Sequence, residues 1–376
     1  MAYQLFDAKF TKPAHMSPAP QRCNVQFAST LGWPTVAKIG TRRRRGWLLL
    51  FLIVIAVLAQ TQMGHTHVRW FVDTDNPSVE NFQPFSFYDP AVLIWIAVAL
   101  SMVGIAVFLD TRLPTIPIAK SRVRHDVMEL MRILTGMSLL LTAYEGALVA
   151  PHLEAYGTLG TLLVLLQAAI GILLLSNHFI HHAAILIIIL FLGMMVQFGF
   201  VRSFEYVNVI GISLFLLFNS LPADHWREQL KPFSVDVLRI FTGLSLVTLG
   251  ITEKLHGAAF GQSFIADHQW NFMPLLGFES FNDQLFILSA GVMEVVFGVI
   301  LILGVVTRLN ILAVACLMLI SNAVFLFQNQ QEAALTELIG HLPIIATALI
   351  LLLLGYGQRL KITNVSPRSE MQEALS

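Results

Sequence analysis

The stretch LRIFTGLSLVTLGITEKLHG, residues 238–257, is apolar enough to lie in a bilayer. Yet Arg239 stands near one end, and Glu253, Lys254 and His256 crowd the other. A second apolar run, GVMEVVFGVILILGVVTR (291–308), places Glu294 well inside its span, too deep for snorkelling. A carboxylate inside a membrane is costly and marks a functional site by default. It either carries a proton or pairs with a cation, and Lys254 is the natural partner. Two readings follow: a helix-clamping ion pair, or an acid that carries protons. The run NQQEAALTELIGHLP (329–343) adds Glu332, Glu337 and His341. Glu253, Lys254, His256, Glu294, Glu337 and His341 are expected to converge at one depth, in a polar pocket facing the bundle interior. Arg239 precedes Glu253 by about 21 Å of helix, so these two occupy opposite levels.

Other residues could hold a metal. QMGHTHVRW puts Met63, His65 and His67 beside one another, and imidazole with thioether suits copper. His152, His256 and His268 fall on the same expected side of the membrane. His178, His181 and His182 gather at one helix end, where cations are favourable; a haem or metal ligand set is the other reading. Cys23 and Cys316 are too far apart in the expected topology to pair. No CxxCH, CxxC, P-loop or dinucleotide fingerprint is present, which excludes covalent haem and argues against an autonomous iron–sulfur, nucleotide or flavin site.

The elements that position these groups are membrane helices. Of 376 residues, 56% are hydrophobic and 12% charged, with a mean hydropathy of +0.71. A soluble chain carries roughly 25% charged residues. Ten spans are expected, at 47–62, 90–109, 127–149, 158–176, 183–200, 206–221, 235–252, 284–306, 309–327 and 338–356. The Arg42–Arg45 run, Arg112, Lys120, Arg122, Arg124, Arg227, Lys231, Arg308, Arg359, Lys361 and Arg368 then share one side. Arg69, Arg202 and Lys254 are left on the other. This bias predicts an inner (cytoplasmic) membrane protein with both termini cytoplasmic. The first span follows a long, largely polar segment and is expected to act as an uncleaved anchor. The arginine run is a topology signal, or a contact for anionic lipid or a partner. Arg132, Arg239 and Arg308 lie near the cytoplasmic boundary, where they snorkel or bind an anionic headgroup or a partner.

The chain also repeats itself. ELMRILTGMSL (129–139) aligns with DVLRIFTGLSL (236–246), matching Arg132 with Arg239 and Gly136 with Gly243. QAAIGILLLSNHFIH (167–181) aligns with EVVFGVILILGVVTR (294–308), matching Gly171 with Gly298 and neutral Gln167 with Glu294. The fold class expected is an all-α integral membrane protein of about ten helices, with two parallel four-helix repeats behind an N-terminal hairpin. Its parts are a basic arm (1–46), a two-span hairpin (47–126), the repeats (127–222 and 223–357) and a tail (358–376). At the Gln167/Glu294 position charge is kept only in the second repeat, which points to chemistry there and scaffolding in the first.

LRIFTGLSLVTLGITEKLHG, GVMEVVFGVILILGVVTR and the two apolar helices after them resemble the DoxX/DoxD-like four-helix membrane family, over about 236–357, with a weaker copy at 129–221. The resemblance implies a membrane subunit of a quinone-linked redox system. Reduced sulfur such as thiosulfate is the implied electron source, since the family includes the membrane subunit of a thiosulfate:quinone oxidoreductase. On that reading Glu294, His341 and Glu253 handle protons. Lys254, Arg239, His256 and Glu337 line the quinone site, and Trp270 roofs it from the loop 255–283 or else anchors that loop in the interface. The electron carrier would come from a redox protein or another subunit of a membrane complex, or from a bound cofactor such as copper or haem. Partners are the bilayer and such subunits, not nucleic acid. Two other functions fit the same residues: a non-catalytic anchoring or assembly subunit, and a small-anion or metal (copper) transporter.

Overall fold

The computed structural model describes residues 85–114, 121–355 and 358–365. The expected first span, the basic arm, and Met63, His65 and His67 lie outside the described residues. Among those described there is no β-strand, only an isolated bridge between Ala147 and Glu154.

The long helices are α1 (Pro90–Arg112), α2 (Ser121–Tyr144), α3 (Gly157–Leu175), α4 (Ile180–Phe198), α8 (Ser234–Leu249), α10 (Asp283–Leu303), α11 (Thr307–Phe327) and α12 (Gln331–Leu354). Shorter helices are α5 (Phe200–Phe204), α6 (Asn208–Ser220), α7 (Asp224–Leu230) and α9 (Ala258–His268). A π-helical segment, Gly250–His256, continues α8. Eight helical stretches among the described residues are long and apolar enough to cross a membrane. The chain is a multi-pass membrane protein. Large apolar side chains such as Ile94, Leu100, Leu165, Val196 and Leu319 are exposed. In a bilayer these face lipid, whose tails are as apolar as leucine.

Two expected spans differ in detail. The apolar run at 206–221 forms only the 13-residue α6, about 20 Å long, because Gly199 at φ 84° ends α4 and the chain turns through α5 first. The last helix begins at Gln331, so Pro343 is interior rather than in its first turns. The polar start stays helical because α11 receives it: Ser321 donates to Glu337 at 2.7 Å and Asn322 to the Ala334 carbonyl at 3.0 Å.

Helix α8 packs against α10 and α6, while α2 packs against α3 and α12. Both crossings use paired glycines. A Cβ on Gly243 would stand 2.6 Å from the Gly298 carbonyl, and one on Gly136 3.1 Å from that of Gly171. At the far end from Glu253, Arg239 is fully buried. Its guanidinium donates to the carbonyls of Leu301, Ile302 (2.9 Å) and Leu360 (2.7 Å), and pairs with Asp236 at 3.3 Å. Asp236 in turn accepts the backbone N–H groups of Arg359 and Leu360. Arg132 caps the equivalent carbonyls of Leu174 (2.6 Å) and Leu175 (3.0 Å) and pairs with Glu129. The tail is fastened to α1 as well, through Lys361 to Asp110 at 2.5 Å.

Candidate functional site

The site is built where α8 gives way to the π-helical segment. A π turn holds an extra residue, so it re-aims side chains that an α-helix would spread around its axis, and such turns often mark functional sites. Here Thr252 and Glu253 are buried in succession and Lys254 follows, half-buried. Helix α10 can approach because Gly291 has no side chain: a Cβ there would stand 2.8 Å from the Lys254 Cβ.

Lys254 Nζ lies 2.5 Å from Glu294 Oε1 and 3.7 Å from Glu253 Oε2. One ammonium therefore serves two carboxylates. Glu253 is 1% exposed, and its Oε1 has no hydrogen-bond partner; nor does Glu294 Oε2. Buried polar atoms are almost always paired, so two orphaned carboxylate oxygens on one lysine need an explanation. They can take a proton or a donor from a ligand.

In the first half of the chain, the hydrogen-bond partners of Gln167 carry no charge. Gln167 is fully buried, and its amide donates to the Ala147 carbonyl (3.1 Å), the Leu139 carbonyl (3.1 Å) and the Thr142 hydroxyl (2.9 Å). Its oxygen accepts the Val149 N–H at 2.9 Å. With Arg132 aligned on Arg239, Ala147 falls on Lys254; with Gly171 aligned on Gly298, Gln167 falls on Glu294. Gln167 is thus a satisfied amide, whereas Glu294, matched to it by sequence alignment alone, carries an ion pair and a spare acceptor.

The other expected site residues are distributed as follows. Glu337 is buried, accepts from Ser321 and belongs with Asn322 to the α11–α12 pair; His341 follows one turn later on α12. His256 ends the π-helical segment, exposed. Arg239 sits at the opposite end, tied to carbonyls and Asp236. Trp270 packs among the aromatic side chains of Phe264 and Phe325. Its ring is tilted against Phe264 at 5.8 Å and meets Phe325 edge-on at 5.6 Å, and Nε1 has no partner. The segment 255–283, expected as a loop, contains α9, docked where Gly261 lets Ile287 come close. Among the described residues no three His, Cys, Asp or Glu side chains converge as a metal site requires.

Two residues escaped the sequence reading. Glu205, 1% exposed, accepts the Thr252 hydroxyl at 2.8 Å, and Thr252 adjoins Glu253. The signal was an acid beside Arg202 in the mostly apolar run FVRSFEYVNVIGI.

Residues 234–328 match the DoxX family model. Arg239, Thr252, Glu253, Lys254, His256, Trp270 and Glu294 lie within the match, whereas Glu205, Glu337 and His341 lie outside it. No curated protein and no solved structure matches the chain.

Proposed function

We propose that this chain is a membrane subunit of a quinone-linked redox system, and that Glu253, Lys254 and Glu294 are its proton-handling group. The observation that carries this reading is the contrast between Glu294 and Gln167. The chain holds a neutral, fully satisfied solution for the position, so packing alone does not call for two carboxylates and a lysine. Ionisable groups retained there at the cost of burial point to proton exchange.

The donors and acceptors suit a quinone. Lys254 offers an ammonium to a carbonyl oxygen, and the orphaned oxygens of Glu253 and Glu294 accept from a hydroxyl. A bound quinone would supply a two-electron, two-proton couple. The chain's own contribution is to hold a proton at Glu253 or Glu294 and to keep Lys254 between them. Thiosulfate or another reduced sulfur compound is the electron source in keeping with the DoxX match, with the electron carrier on a partner subunit.

The layout belongs to the same proposal: an N-terminal hairpin, then parallel four-helix units at 127–222 and 223–357, with both termini cytoplasmic. The matched carbonyl capping by Arg132 and Arg239, the matched glycine pairs, and the reciprocal packing of α6 on α8 and α12 on α2 support it.

The test is thiosulfate-driven reduction of a short-chain quinone in native membranes. Glu294→Gln and Glu253→Gln should each lower turnover by about 100-fold, the scale of a lost general acid–base, with wild-type amounts of protein in the membrane. Unchanged turnover in both would remove the group from the reaction. Lost insertion in both would favour the anchoring reading instead.

A further inference from the structure

We propose that Glu205 is a positioning residue of this site, a third carboxylate that holds the π-helical segment through Thr252 and sets how readily the site takes up and releases its proton. The inference rests on reading Glu253, Lys254 and Glu294 as the proton-handling group.

Glu205 lies outside the DoxX-matching region, at the end of α5. It belongs to the first half of the chain, yet it is locked onto the second. Its carbonyl accepts the Ser245 hydroxyl of α8, and its carboxylate accepts from Thr252. Thr252 Oγ1 is also 2.9 Å from the Thr248 carbonyl. A hydroxyl has one hydrogen, so it satisfies one of these two acceptors at a time. When it turns to Thr248, a proton on Glu205 completes the other contact. When Glu205 is ionised, the hydroxyl turns back. Glu205 and its tether therefore respond to proton occupancy one residue away from Glu253. The surroundings make charge count: Glu253 and Lys254 on the π-helical segment, Glu294 on α10, Arg202 on α5, and the Tyr206 and His152 rings 5.9 Å apart nearby. Arg202 feels Glu205 directly: burial lowers its guanidinium pKa, and the Glu205 carboxylate pushes it back up.

Glu253 supplies the independent sign that this is a site and not only a cluster of acids. Its Oε1 is buried with no partner. The wild-type chain and Glu205→Gln, each in lipid nanodiscs, would be titrated by infrared difference spectroscopy. The C=O band of protonated carboxyls would be followed with pH. Glutamine keeps the size and the contact to Thr252 but removes the charge. The expected result is a midpoint moved by about one pH unit. The same midpoint in folded Glu205→Gln would overturn the proposal. If that variant does not fold, Thr252→Ser and Thr252→Val answer the same question. Serine should keep the wild-type midpoint and valine should move it; a wild-type midpoint in valine would overturn the proposal. Because the readout uses no quinone and no electron donor, failure to turn over quinone leaves it standing. Conversely, a titration absent in wild type removes both readings.

Discussion

Giving the second site the first one's chemistry separates charge kept for function from charge kept for packing. Lys254→Ala alone removes the cation between Glu253 and Glu294 and leaves two carboxylates facing each other. Breaking a fully buried ion pair costs about 3–5 kcal/mol. Here the Lys254 and Glu294 side chains are 20% and 30% exposed, so solvent screening lowers the figure to about 2–3 kcal/mol. Adding Glu294→Gln recreates the Ala147–Gln167 arrangement, in which the amide reaches the backbone carbonyl. The double variant should regain about 1–2 kcal/mol of that loss, a coupling typical of residues in contact. The assay is reversible unfolding in mixed micelles, run as a full double-mutant cycle on the wild type, both single variants and the double. The double variant should fold nearly as well as wild type and have no quinone turnover. A double variant no more stable than Lys254→Ala would show that the charged pair is structurally required here, and the contrast with Gln167 would lose its force. A stable double variant that still turns over would refute the proton-handling role itself.

Arg239→Leu strands three carbonyls and a buried Asp236, and should cost about 3–5 kcal/mol in the same unfolding assay. It should also speed proteolysis of the tail at 358–365. Gly291→Val drives a side chain into Lys254, so it should cost about 1–3 kcal/mol and separate Lys254 from Glu294, seen as lost turnover. Phe325→Ala empties the middle of the Phe264–Trp270 cluster, where Phe325 is 1% exposed. It should cost about 3–5 kcal/mol and expose the segment 269–282 to protease.

Apolar runs and their charged ends were enough to place most of the long helices among the described residues, because a membrane span must satisfy its own backbone and so must be helical. The pairing of Lys254 with Glu294 was legible for a related reason: a deep carboxylate must find a cation. Reading failed where the backbone leaves α-helical period. Beyond Leu249 the π turn changes the phase, so the buried succession of Thr252 and Glu253 does not follow from a 3.6-residue repeat. Glu205 was missed because its partner is 47 residues away in sequence and on another element. Glu337 has Ser321 as a hydrogen-bond donor on α11, a contact between two helices that sequence spacing does not specify. The docking of the tail by Arg239 and Asp236 joins positions more than a hundred residues apart.

The most direct measurement is on the protein as it leaves the membrane. The tagged chain would be isolated from native membranes in mild detergent, and its lipid extract and companion proteins identified by mass spectrometry, for wild type and Glu294→Gln in parallel. The account predicts near-stoichiometric quinone and a redox protein with wild type, and the redox protein without quinone in the variant. Wild-type protein that comes out alone, with no quinone, would contradict it.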